Sequence, residues 1–338
     1  MTNNREKWGS HVGFIFAAIG AAVGIGNIWR FPYIVGTSGG GAFLVTYLII
    51  IFTFGLSFMI LELAVGRYYQ TSVITSLINI RKKFKWLGVA MVGVAFAILS
   101  YYLVILGWIL SYFLLMLLGL PIAFDTFADS PYPVLAFLTV LGINYVIIRS
   151  GVTRGIERLN KIGVLLLIGL MIPLTILGVL LPGSDKGIDF YLMPDFSKLS
   201  DPTVWSIAFG QAFFSLSIGT GILLTYGSYL REKRSLVKSS VVIIVADLII
   251  ALMAGLMIFS IVFAFGMDPA QGTSLVFRAM PSIFANMQFG MIVGALFFFL
   301  LLIAGLTSSV SMFQLPVASL EDSLGFKRHK SALIIVIL

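Results

Sequence analysis

The chain has 338 residues, of which 59% are hydrophobic and only 11% charged, more apolar surface than a soluble domain can bury, so it reads as a polytopic membrane protein. Its net charge of +8 invites a nucleic-acid reading, but the basic residues fall in short clusters between apolar runs and make no binding face. The absence of cysteine excludes disulfides and thiolate metal centres, and two lone histidines offer no metal site.

Residues 1–8 are polar and lack the short apolar region and cleavage site of a signal peptide, so the first apolar run is expected to stay in the membrane. At ~20 residues per span, crossing segments are predicted at roughly 11–36, 42–66, 87–119, 132–149, 160–182, 203–229, 239–266 and 290–319. A ninth begins near Ser331 and meets the end of the sequence at Leu338. Alternate loops differ sharply in Lys and Arg, 18 on one side against Lys186, Lys198 and Arg278 on the other. By the positive-inside rule the N-terminus is cytoplasmic, and the excess charge reflects orientation and contact with anionic lipid. The loop from Leu181 to Val204 carries Pro182, Gly183, Pro194 and Pro202. If the first and sixth spans are counterparts, it separates two five-helix repeats, and an odd number of helices inverts the second relative to the first. The expected division is 1–182 for the first repeat, 183–202 for an extracellular loop, and 203–338 for a partial second repeat.

Two of these spans are interrupted by glycine pairs. The first reads Gly24-Ile25-Gly26-Asn27, the second Ser215-Leu216-Ser217-Ile218-Gly219-Thr220-Gly221. Backbone groups released in a bilayer are tolerated only where they line a protein cavity or bind something. Paired breaks in corresponding places point to a transporter's binding site, although small residues also let helices pack closely. Amides near Ile25 and Gly26 would face a carboxylate with the favourable dipole end, and carbonyls of Gly20, Ala22 and Val23 offer hard oxygens suited to Na⁺. Ser215, Ser217 and Thr220 add hydroxyls at the second break, where each alone could bond its own helix.

Asp247 lies deep in an apolar run, and no Lys or Arg occupies a span interior except Arg30. A carboxylate there needs a proton, an ion pair or a bound cation, and Na⁺ is the economical choice. Glu62 is nearer a membrane end and could cap backbone amides. In the eighth span, Ala304 with Thr307 and Ser308 could complete an oxygen cage or serve as helix–helix glue.

These residues resemble the neurotransmitter:sodium symporters, most closely the prokaryotic amino-acid carriers. The likeness rests on Gly20-Ala21-Ala22-Val23-Gly24-Ile25-Gly26-Asn27-Ile28-Trp29-Arg30-Phe31-Pro32, on Gly39-Gly40-Gly41-Ala42-Phe43, on Glu62 with Gly66-Arg67-Tyr68, on Tyr101-Tyr102, on Gly155-Ile156-Glu157-Arg158 and on Ala304-Gly305-Leu306-Thr307-Ser308-Ser309. It spans nearly the whole chain. The fold it implies is an all-α inverted-repeat, five-plus-five helix transporter with unwound first and sixth helices, C-terminally incomplete.

The resemblance also implies two sodium sites. One comprises Ala22, Asn27, Ser215, Asp247 and the substrate carboxylate; the other comprises Gly20, Val23, Ala304, Thr307 and Ser308. The substrate carboxylate would meet Ile25, Gly26 and Tyr102, and its amine Ala22, Phe214 and Ser217. Ile98, Phe214, Thr220, Ser308 and Met312 would set side-chain specificity. Gly24 stands where monoamine carriers have aspartate, which favours a substrate bringing its own carboxylate. Asp247 supplies fixed negative charge, which implies independence from chloride. Thr220 stands where a leucine-preferring relative has phenylalanine, which suggests a roomier, more polar pocket for a large or aromatic amino acid. For gating, Arg30 and Gln211 would lie above a lid of Tyr102 and Phe214. On the cytoplasmic side Arg5 would pair with Asp322, supported by Trp8, Tyr229 and Gln314. Gly163 and Pro173 match a spacing that allows the fifth span to unwind, and a kink or packing site is an equal reading of the two alone.

Relatives have eleven or twelve spans, so a missing C-terminal segment or second polypeptide is expected, including an acidic partner for Arg30. The function expected is sodium-coupled amino-acid import across the cell membrane by alternating access. A non-transporting sodium-dependent sensor and an inactive fragment are the alternatives; a channel lacks its polar rings, and an enzyme lacks paired catalytic groups.

Overall fold

The structure, a computed structural model, describes residues 6–120, 122–231, 234–267 and 275–338, and among them there is no β-strand. Six continuous helices are long and apolar enough to cross a membrane: Gly41–Tyr69, Lys82–Leu117, Tyr132–Arg149, Val152–Val179, Leu236–Ala264 and Gly290–Leu324. The first span is a bent pair, His11–Ala22 and Gly26–Thr37, turned by 47° at its break. The sixth consists of Pro202–Ser215 and Ile222–Gly227, and a further helix, Arg328–Ile337, follows the eighth span.

Helix starts follow local chemistry. The Ser10 hydroxyl accepts from the Gly13 amide at 2.9 Å and caps the first span. Asp201 caps the sixth by accepting from Thr203 N at 2.8 Å, with Pro202 in the first turn where its missing N–H costs nothing. At the other end of the eighth span Gly325 takes a left-handed conformation, φ 67°, and stops the helix.

Burial separates central from peripheral helices. The most apolar window of the eighth span is 72% buried, that of the fourth only 22%. The first half of the first span is enclosed, with Phe14, Ala17 and Ala18 inaccessible. Outward-facing Phe54, Phe58, Leu61, Leu138, Leu165 and Val242 are exposed on the surrounding spans, a surface suited to lipid rather than water. The third and eighth spans pack along each other, and the first is held among the fifth, seventh and eighth.

Two segments differ from the sequence reading. Residues 183–202, read as a loop, contain the helix Asp185–Leu192 and a short 3₁₀ turn at Phe196–Ser200. The amphipathic helix is docked by Tyr191, whose hydroxyl donates to the Leu252 carbonyl at 3.2 Å. Before the eighth span, Phe277 inserts into an aromatic cluster with Trp29, Trp108, Tyr112 and Phe124, ring centroids 5.4–5.6 Å away, closing the Arg30 end of the bundle. The fifth span stays helical through Gly163 and Pro173 from Arg158 to Val179, after a π-helical turn at Val152–Glu157.

Candidate functional site

Both glycine pairs interrupt their helices. The first span leaves helical geometry at Val23, ψ 110°, and resumes at Gly26. In the sixth, residues 216–221 form turns in which Ser217, Gly219 and Gly221 take φ of 55°, 82° and 87°. Glycine accepts that region freely, whereas Ser217 is held there by its surroundings, its hydroxyl donating to the Ala21 carbonyl at 2.9 Å. Glu62 accepts from the Gly219 amide at 2.6 Å, the capping role expected of it.

Between the two breaks lies a buried polar cluster. Asn27 Nδ2 donates to Asp247 Oδ1 at 2.7 Å and to Ser215 Oγ at 3.0 Å, and Ser215 Oγ donates to Asp247 Oδ2 at 2.9 Å. All three side chains are inaccessible or nearly so. Among the described ion pairs none involves Asp247. Asn27 Oδ1 accepts from the Gly24 amide at 3.2 Å, so the amide turns its nitrogen toward Asp247, and a half-turn about Cβ–Cγ would present its oxygen there. Tyr47, fully buried, brings its hydroxyl up to Asp247 and Ser215; sequence reading missed it because a tyrosine in an apolar helix carries no signal.

Of the oxygens expected at the second ion site, one reaches the first helix and another bonds back to its own. Ser308 Oγ donates to the Ala21 carbonyl at 3.3 Å, and Thr307 Oγ1 to the Ala304 carbonyl at 2.9 Å. A Cβ built on Gly20 would stand 3.1 Å from Thr307 Cβ, which puts the two spans in contact at that level. Val23 N is engaged with the Ile19 carbonyl at 2.7 Å, the last bond of the helix before its break.

Beside the clusters is a small cavity of about 20 Å³ lined by Ala22, Gly24, Gly26, Tyr102, Ser308 and others. Phe214, Ser217 and Met312 also line an adjoining chamber of about 210 Å³, with Ile98, Phe213 and Thr220 on its other walls. The chamber is on the order of ten times what one water requires. Tyr102 and Ile25, both expected at a carboxylate, meet each other: the Ile25 amide donates to the Tyr102 hydroxyl at 3.1 Å. Thr220 Oγ1 donates to the Ser217 carbonyl at 2.8 Å, so Thr220 gives the chamber room more than polarity.

Arg30 roofs this region. Its guanidinium hydrogen-bonds to Gln211 Oε1 and lies 4.8 Å above the Phe214 ring. Gly26 is needed below, since a Cβ there would come within 2.6 Å of Phe214 Cε1. At the opposite end Trp8 Nε1 donates to the Tyr226 carbonyl at 3.0 Å and packs edge-on against Tyr226 and Tyr229. Gln314 Nε2 donates to Tyr229 Oη at 2.6 Å. Arg5 lies outside the described residues, and with it the expected pair to Asp322; Asp322 accepts from the Ser72 amide. Sequence reading missed Arg328, counted only as a basic loop residue. It donates to Gln314 Oε1 at 2.6 Å, to Glu6 Oε2 at 2.8 Å and to the Ile148 carbonyl at 2.5 Å.

The family model for the sodium:neurotransmitter symporter family matches residues 5–126 and 117–338. The chain belongs to that family. An uncharacterized sodium-dependent transporter of Haemophilus influenzae is 36% identical over 98% of this chain and 77% of its own length. The sodium- and chloride-dependent creatine transporter 1 of Bos taurus is 31% identical over 90% of this chain and 58% of its own. Among solved structures, the crystal structure of MhsT in complex with L-phenylalanine superposes with a TM-score of 0.92 at 40% identity, covering 99% of this chain and 78% of that one. The fold is therefore the all-α inverted-repeat fold of these symporters, and the chain is a sodium-dependent membrane transporter, not an enzyme.

Proposed function

We propose that the protein imports an amino acid, large and hydrophobic or aromatic, together with sodium by alternating access. It does so at the cell membrane with its N-terminus in the cytoplasm, as the excess of Lys and Arg on one side favours. The observation that carries the proposal is the inaccessible Asn27–Ser215–Asp247 cluster lying between two broken helices and beside a cavity. A carboxylate deep in the bilayer with no cationic side chain on it is balanced by a bound cation, and oxygens of serine, asparagine and free carbonyls suit Na⁺.

In this reading one ion sits with Ala22, Asn27, Ser215 and Asp247, and the substrate carboxylate completes its shell beside Ile25, Gly26 and Tyr102. A second ion is held by Gly20, Val23, Ala304, Thr307 and Ser308, tying the first span to the eighth. The substrate amine lies at Ala22, Phe214 and Ser217, and its side chain enters the chamber of Ile98, Thr220 and Met312. The chamber's apolar walls and the phenylalanine named for MhsT both favour an aromatic substrate. Asp247 supplies the negative charge that would otherwise come from chloride, so uptake proceeds without it. Arg30, Gln211 and Phe214 form the outer gate; Trp8, Tyr229, Gln314 and Asp322 belong to the inner one.

The test is uptake of radiolabelled L-phenylalanine into proteoliposomes under an inward sodium gradient, against potassium. Sodium-driven accumulation is expected. Sodium-dependent binding without accumulation would assign the chain to a sensor instead.

A further inference from the structure

On the fifth span, Asn160 is fully buried and its Nδ2 donates to the Ile156 carbonyl at 2.8 Å. That bond fixes the amide's orientation, because turning it would set oxygen against oxygen. Asn160 Oδ1 is left with no hydrogen-bond partner. It is directed at the first span: a Cβ on Gly20 would collide with Oδ1, and the same point lies 3.1 Å from Thr307 Cβ. One turn along, a Cβ on Gly163 would stand 2.7 Å from Thr307 Cγ2. The face of the fifth span that carries Asn160 thus looks onto Gly20 and Thr307. One turn the other way, toward the basic end of the span, Glu157 is buried and accepts from Gly9 N at 2.7 Å, Ser10 Oγ at 3.2 Å and Lys161 Nζ at 2.6 Å.

We infer that the side-chain oxygen of Asn160 is a sodium ligand on the cytoplasmic flank of the second ion site, engaged by the ion as it leaves. The inference rests on the sodium reading proposed above. A buried amide oxygen without a partner is costly, and an apolar side chain of the same shape would fill the space without that cost. An oxygen of this kind is repaid when a cation reaches it. A neutral amide is also a weak enough ligand to let the ion go, which passage requires. The oxygen of Asn160 stands between Thr307 and the Glu157 carboxylate, so it divides the path from site to cytoplasm into shorter steps.

Two variants test this in purified, reconstituted protein. Asn160→Leu keeps the shape and removes the oxygen. The sodium concentration giving half-maximal phenylalanine binding should stay within about twofold, while net uptake falls about tenfold, the effect of one lost ligand. Wild-type uptake by Asn160→Leu overturns the inference, and so does a parallel loss of binding and uptake, which marks a packing role. Asn160→Ala removes the same oxygen with a smaller side chain and should show the same split, half-saturating sodium within about twofold and uptake about tenfold down. Wild-type uptake, or binding and uptake falling together, overturns the inference, and this variant decides alone if Asn160→Leu fails to fold. Absence of sodium-dependent binding in the unmodified protein would instead remove the sodium reading itself, before either variant is consulted.

Discussion

Asn27 and Asp247 are 220 residues apart in sequence, and their side chains meet at 2.7 Å where two broken helices converge. Each has a weak local rationale, an asparagine after a glycine pair and an acid in an apolar run. Joined, they make a buried polar cluster, which the proposed reading completes with a cation.

Replacing Asp247 with alanine is therefore expected to abolish sodium-dependent substrate binding. Removing one partner of a buried charge pair costs about 3–5 kcal/mol, or at least about 100-fold in affinity. Equilibrium binding of labelled phenylalanine over a sodium titration measures it, and unchanged sodium dependence would reject the assignment of Asp247.

Chloride should be dispensable. Exchanging chloride for gluconate on both sides of the liposome membrane is expected to leave uptake within error of the control, because in the proposed reading Asp247 supplies the fixed charge. A proportional fall in uptake with chloride would contradict this.

Thr220→Phe should narrow the chamber it lines and shift preference toward smaller aliphatic amino acids. Losing room for an aromatic ring in a packed pocket costs about 1–3 kcal/mol, so phenylalanine affinity should fall roughly 10- to 100-fold relative to alanine or valine. Competition binding across the twenty amino acids reads the change, and an unaltered rank order would refute the pocket assignment.

Arg30→Ala removes both the bond to Gln211 and the cation over Phe214. A cation–π contact of about 1–2 kcal/mol in a desolvated setting predicts substrate release to the outside about tenfold faster. Dissociation of prebound phenylalanine after dilution tests it; an unchanged rate would place Arg30 outside the gate.

Arg328→Ala should loosen the opposite end, where one guanidinium joins Glu6, Gln314 and the Ile148 carbonyl. The chain has no cysteine, so a single cysteine introduced at buried Ser311 reports opening without background. Its reaction with a thiol reagent should accelerate at least about tenfold in the Arg328→Ala background, as expected if opening breaks even one charged hydrogen bond of about 1.5–3 kcal/mol. Equal rates would confine Arg328 to a surface role.

Sequence alone located the six continuous spans and the bent first one, because bilayer crossing demands an apolar run of fixed length. It located both helix breaks, since glycine releases helical geometry locally, and it isolated Asp247, since a charge in hydrocarbon stands out against its neighbours. Tertiary structure decided which groups meet. Tyr47 beside Asp247, Arg328 on Gln314 and Glu6, Asn160 against Gly20, and the helix Asp185–Leu192 docked through Tyr191 all depend on packing between distant segments. Hydropathy reports each residue's affinity for lipid or water, but not which face of one helix is turned toward another, so those contacts became legible only once the helices were packed together.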